Sequence, residues 1–171
     1  MPRRYIFRHQ TRACVPCWVK AAVGAALALG IIAVIDDFGG APLLAAPLGA
    51  SAVMIFGFPD SPMAQPVNVV GGHFIATLLA LVADHVLPGG LISMMATVAM
   101  VMVVLALARL AHPPAVANPL VVMMGHPGWS FLGMPVLLGA VILVLVAVLV
   151  HRLPPRSIYP LPIHPPPPSQ A

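Results

Sequence analysis

The chain concentrates its few chemically versatile side chains in two short stretches. One is "PVNVVGGHFIAT", residues 66–77, which carries Asn68, the Gly71-Gly72 pair, His73 and Thr77. The other is "AHPPAVANPL", residues 111–120, with His112, Pro113, Pro114 and Asn118. Ser51 in "GASAVM" and Gln65, just ahead of the first stretch, complete the set. None of these groups carries a permanent charge. Histidine gains or loses a proton near neutral pH, and the amides and hydroxyls offer neutral donors and acceptors. Such a set suits binding a small polar or anionic solute, or passing on a proton. At helical spacing His73 and Thr77 share one face, and Asp84, eleven residues beyond His73, falls on the same face near the end of its segment. The default role for Ser51 is helix packing, and for His73 a hydrogen bond to a neighbouring helix. No Ser-His-Asp order, phosphate-binding loop or Cys/His zinc spacing is present. The expectation is therefore no enzyme, no metal and no cofactor.

The elements that position these residues follow from the medium. Of 171 residues, 60% are hydrophobic and 7% charged, with no Glu at all. A soluble domain covers itself with about a quarter charged residues. The apolar residues come in blocks rather than in alternation, and about 20 in a row suffice to cross a bilayer. This excludes a soluble domain and gives a polytopic helical membrane protein in contact with lipid. Arg3, Arg4, Arg8, Arg12 and Lys20 precede the first block, and Arg152 and Arg156 follow the last. Basic flanks favour the cytoplasmic side, so both termini are expected inside, in the inner membrane, after an even number of crossings. The same placement explains the basic pI near 9.8 without nucleic acid.

Residues 1–17 read as a basic cytoplasmic leader, 18–152 as the transmembrane domain, and 153–171 as a proline-rich cytoplasmic tail without fixed structure. The first block is long for a cleaved signal and serves as an anchor. Cys14 and Cys17, in "CVPC", lack the βαβ context of a redox motif and are expected as two reduced, incidental thiols. Gly24 and Ala28, with Ala21 and Ala25, make a small-residue face for close helix packing. That face and the small size of the chain point to a homo-oligomer. Met94, Met95, Met100 and Met102 suit packing better than a copper site.

Pro42 and Pro47 are each followed by the pattern that recurs at Pro114 and Pro119: the same spacing, a leucine after the second, a short apolar piece, a loop, and a helix opening "PV" at Pro66 and Pro135. The expected all-α fold is thus two three-segment pseudo-repeats, each with a short, proline-broken helix. Three crossings per repeat give six in all; re-entrant short segments would give four. The reading favours six, which also puts Arg109 on the cytoplasmic side and keeps it away from Asp37, its counterpart in the other repeat. Proline within a helix leaves backbone groups unpaired, and hydrocarbon tolerates that only beside protein or a water-filled cavity. Matched breaks in two halves point to a transport site.

The stretches "GASAVMIFGFPDSPMAQPVNVVGGH", residues 49–73, and "HPPAVANPL", residues 112–120, resemble the HPP family of integral membrane proteins. The resemblance covers about Trp18 to Arg152. It implies four transmembrane helices, against the six segments read above, and an association with nitrite transport. Val67 stands where related sequences commonly carry Arg, and Val116 where they often carry Gly. The combined expectation is a small transporter or channel for a small anion such as nitrite. Its path would be lined by Ser51, Gln65, Asn68, Gly71, Gly72, His73, His112, Pro113, Pro114 and Asn118. The rival is a non-transporting membrane module that binds a partner protein, in which the polar residues pair with one another and leave no cavity.

Overall fold

The computed structural model describes residues 14–39 and 45–162. Among them are six α-helices and no strand: α1 (Val15–Gly39), α2 (Ala45–Gly57), α3 (Pro66–Val86), α4 (Leu91–Leu107), α5 (Asn118–Gly125) and α6 (Leu138–His151). Three stretches are long and apolar enough to cross a membrane: Val15–Ile35, Pro66–Val86 and Leu132–His151. Helix α2 rises only about 20 Å and α5 about 12 Å, well short of a hydrocarbon core of about 30 Å. Pro113–Ala117, a 3-10 turn, extends α5 at its start.

The helices alternate in direction. At one end the α1 side chain Lys20 donates from Nζ to the carbonyls of Leu153 and Pro155 beyond α6. At the same end Asn68, in the first turn of α3, donates to the carbonyls of Arg109 (3.4 Å) and Ala111 (3.1 Å) beyond α4. At the opposite end His126, after α5, reaches Asp84 near the end of α3 at 2.9 Å. The start of α1, the end of α4 and the end of α6 therefore lie at one end of the bundle, and the ends of α3 and α5 at the other. Arg109 lies at the same end as Lys20, and Asp37, at the far end of α1, lies at the other.

Three expectations are corrected. From Ala45 onward the second segment is not broken: α2 is continuous, and Pro47 sits in its first turn, where a missing N–H costs nothing. Pro42 lies outside the described residues, and with it the first half of the expected match to Pro114 and Pro119. Cys14 and Cys17 are joined as a disulfide; one helical turn puts their Cα atoms 5.2 Å apart, within bridging range. The small-residue face of α1 is used within the chain. A Cβ at Gly24 would stand 2.8 Å from the Phe56 ring and 2.9 Å from Val150, so this face binds α2 and α6 rather than a second copy.

The tail, too, is ordered through residue 162. Tyr159 is buried and donates its hydroxyl to the Ala64 carbonyl at 3.0 Å. Leu161 N–H donates to Gln65 Oε1 at 2.8 Å. Residues 153–162 thus form a strap across the ends of α2 and α3. The strap's prolines have no N–H to satisfy, so it can follow this irregular course without a sheet or helix. Residues 163–171 lie outside the described residues.

Helix α4 closes in a double-bonded C-terminal turn: Arg109 N–H to the Ala106 carbonyl (3.1 Å) and Leu110 N–H to the Leu105 carbonyl (2.9 Å). This requires Arg109 at φ 56°, a conformation that costs residues other than glycine about 1–2 kcal/mol. Arg109→Gly is expected to raise stability by about 1 kcal/mol, read as a higher unfolding temperature in detergent. An unchanged or lower value would mean the guanidinium contributes more than the turn loses.

Methionines 95, 100 and 102 are exposed on α4, and large apolar side chains face outward on every long helix. The surface is suited to lipid.

Candidate functional site

The polar residues of the two stretches meet in the core. Ser51 projects from the middle of α2 and is fully buried. Its Oγ lies 2.8 Å from Nε2 of His73 on α3 and 2.8 Å from Nε2 of His112, just before the 3-10 turn. The two imidazoles meet edge to face, their centroids 5.2 Å apart. Asn118 opens α5 and reaches back to α3: its Nδ2 lies 3.0 Å from His73 Nδ1 and 2.7 Å from Thr77 Oγ1. His112 Nδ1 lies 2.8 Å from the Met63 carbonyl.

The partners fix the proton positions for neutral rings. A carbonyl can only accept, so His112 carries its proton on Nδ1 and accepts at Nε2. The Asn118 amide donates to His73 Nδ1, so His73 carries its proton on Nε2. The Ser51 hydroxyl then accepts from His73 and can donate to His112. The chain runs one way: Asn118 to His73 to Ser51 to His112 to the Met63 carbonyl. Ser51 has a competing acceptor, the Pro47 carbonyl one turn back at 3.0 Å. A hydroxyl with two acceptors and one hydrogen can turn, and turning breaks or remakes the link between the rings.

Why the segments come this close is visible at Gly72. A Cβ there would stand 2.9 Å from His112 Cβ and 3.2 Å from the Leu110 carbonyl oxygen. Only glycine lets the 112–117 stretch lie flat on α3. Gly71 meets only the Leu110 side chain, at 3.2 Å. Pro114 is buried under the 3-10 turn and Pro113 is exposed at its start. The missing N–H of each falls where a helix start leaves that group unpaired anyway.

Not every expected site residue joins the network. Ser51, His73, His112 and Asn118 do, with Thr77. Gln65 caps the end of the bundle, donating to the carbonyls of Pro59 and Ser61. Asn68 holds the stretch beyond α4. Asp84 pairs with His126, away from His73. Val67 is 64% exposed, so the departure from the related sequences at this position leaves the buried network untouched.

Beside His73 and Asn118 lies a hollow of about 10 Å³, bounded also by Pro47, Leu48 and Phe131. It has room for about one water. On the other side the network ends at the Met63 carbonyl, in the 61–65 turn that the strap holds through Ala64 and Gln65. Sequence reasoning missed the strap, Tyr159 and His151. His151 is buried at the end of α6, with Nε2 on the Ile55 carbonyl at 3.0 Å and its ring between Phe56 and Tyr159. For Tyr159 the signal was available: an aromatic residue inside a proline-rich run is unusual in a purely solvated tail.

Burial raises the Tyr159 phenol above its ordinary pKa, so it remains a donor throughout the neutral range. Its bond is fully present below pH of about 10 and is lost only as alkaline pH ionises the phenol. Tyr159→Phe is expected to cost about 1–3 kcal/mol, because the buried Ala64 carbonyl loses its donor. Thermal unfolding in detergent checks this; an unchanged midpoint would mean the strap adds nothing to the closed bundle.

A family model described as "HPP, transmembrane region" matches residues 10–160. Two curated relatives are transmembrane proteins of Dictyostelium discoideum. One is 32% identical over 127 residues, covering 70% of this chain and 45% of the relative. The other is 28% identical over 120 residues, covering 66% and 39%. The chain thus spans less than half the length of these relatives. No solved structure matches. With the match extending over nearly the whole chain, including the buried histidines and the turn that joins them, this protein belongs to the HPP transmembrane family.

Proposed function

We propose that the protein is a small membrane transporter for a small anion such as nitrite, and that the arrangement described is its closed form. The observation that carries the reading is the buried chain of Asn118, Thr77, His73, Ser51 and His112 in an otherwise apolar bundle. Polar groups at membrane depth are costly and by default mark a path or a proton relay. Here they extend from the strap end to about 16 Å along α3, roughly half the membrane depth. They are borne by a helix pair and an interrupted segment, the arrangement that places transport sites near the midplane. The one-water hollow beside His73 and Asn118 is where the cargo would be met; the strap over the 61–65 turn is the opposite gate.

The proposed setting is the inner membrane, with both termini cytoplasmic. Lys20, Arg109, Arg152 and Arg156 share one side of the bundle, and basic residues favour that side of a membrane. An interior-negative potential opposes anion entry by about 2.3 kcal/mol per charge per 100 mV. Uptake against it needs a coupled cation, and the His73–Ser51–His112 chain is built to carry a proton. Transport rather than catalysis is proposed because Ser51, though flanked by two imidazoles, is sealed from any substrate of size.

One observation favours a second reading, a non-transporting module that binds a partner. The polar side chains satisfy one another, and the hollow admits no more than a water. Flux into liposomes, measured for nitrite, nitrate, formate and chloride with and without a pH gradient, separates the two. Nitrite flux that responds to the gradient supports transport. Folded protein that moves none of these anions leaves the module.

A further inference from the structure

Beyond α6 the chain folds back on itself. Ser157 N–H donates to the His151 carbonyl at 3.1 Å, closing a loop that carries Pro154 and Pro155 at its turn. The loop borders an open hollow of about 460 Å³, lined by His151, Arg152, Arg156, Ser157 and Ile158. Both arginines are exposed, and neither makes an ion pair among the described residues. His151, only 1% exposed, gives its Nε2 proton to the Ile55 carbonyl, so its unpartnered Nδ1 is an acceptor and takes no part in holding an anion. Asp60 lies within electrostatic range of His151 but does not line the hollow. Three groups able to donate, Arg152, Arg156 and the Ser157 hydroxyl, therefore border one concavity, with no carboxylate lining it.

The apolar neighbours say what kind of oxyanion fits. Leu149 is 61% exposed, Leu153 57% and Ile158 67%. They flank the C-terminal end of α6, where a stretch of membrane-spanning length would reach the lipid headgroups. A free anion would gain nothing from them, whereas a lipid places its phosphate on the arginines and its acyl chains along the leucines. We propose that the His151–Ile158 loop is a binding site for an anionic phospholipid. Arg152 and Arg156 hold the phosphodiester oxygens, and Ser157 supplies a further donor. The occupied site would pin the root of the strap, since Tyr159 follows directly. It stands independently of any cargo.

The test uses the full chain purified in mild detergent, with phosphatidylglycerol, phosphatidylcholine or inorganic phosphate added. Native mass spectrometry reads retained lipid, and thermal unfolding reads stabilisation. Phosphatidylglycerol is expected to be retained and to raise the unfolding temperature; phosphatidylcholine and phosphate are not. The double variant Arg152→Gln with Arg156→Gln is expected to lose roughly thirtyfold in affinity for phosphatidylglycerol, the effect of two basic groups. Its unfolding temperature in phosphatidylcholine should match the parent, which shows that it folds. Equal retention of the two lipids, or undiminished phosphatidylglycerol binding by the double variant, would overturn the proposal. So would protection by phosphate equal to that by the lipid, which would assign the site to a free anion.

Discussion

Ser51→Ala is expected to abolish gradient-driven anion flux in proteoliposomes while leaving a folded protein. The substitution removes one oxygen and keeps both imidazoles. It breaks the hydrogen-bonded link between His73 and His112, whose Nε2 atoms each lie 2.8 Å from that oxygen. The His73 N–H loses its acceptor, at a cost of about 1–3 kcal/mol for a buried donor, which a six-helix bundle can tolerate. His112→Ala should stop flux as well, at greater structural cost, because Ser51 and the Met63 carbonyl both lose a partner. At about 1–3 kcal/mol each, that variant sits close to the limit of a typical stability. The comparison is therefore informative only as a pair. Flux lost in both, with Ser51→Ala still folded, assigns the loss to the relay. Parental flux in Ser51→Ala would remove the relay from the mechanism, whatever His112→Ala does.

The second large effect concerns packing. Alanine at Gly72 is expected to cost about 1–3 kcal/mol, whereas alanine at Gly71 should be neutral or stabilising. Both glycines lie in α3, and each loses about 1 kcal/mol of helix propensity relative to alanine. What differs is the neighbour. The added methyl at position 72 meets His112 Cβ at 2.9 Å and a backbone oxygen at 3.2 Å, neither of which can turn away. At position 71 it meets the end of the Leu110 side chain, which can. Denaturant or thermal unfolding of the two variants side by side checks the contrast. Gly72→Ala should also lose flux, since moving the 112–117 stretch outward by even 1 Å would part His112 from Ser51. Equal stability of the two variants would mean that the stretch does not rest on α3 as described.

Much of the architecture was legible from local chemistry. Apolar block length and basic flanks gave an all-helical membrane chain with six segments, and Pro66 marked the start of α3 at the residue. The family resemblance rested on stretches that prove to carry the buried network. His73 and Thr77, four residues apart, do share a partner in Asn118. The break expected at Pro47 did not occur because a proline's effect depends on its distance from the helix start. Pro47 lies in a first turn and disturbs nothing, and the sequence does not state where α2 begins. The small-residue face on α1 was read correctly as a packing surface but assigned to the wrong partner, since α2 and α6 of the same chain occupy it.

The sequence by itself determined the medium, the helices and which residues are polar at depth, because these depend on block length, charge and neighbours along the chain. Only the tertiary structure decided that Ser51 bridges two histidines 22 and 61 residues away, and that Gln65, Asn68 and Asp84 serve elsewhere. It also turned a supposedly loose proline-rich tail into a strap anchored by Tyr159. Hydrogen bonds act over about 3 Å, and which groups come within that reach is set by how glycines and small side chains let helices approach. Periodicity along one helix carries no information about that distance.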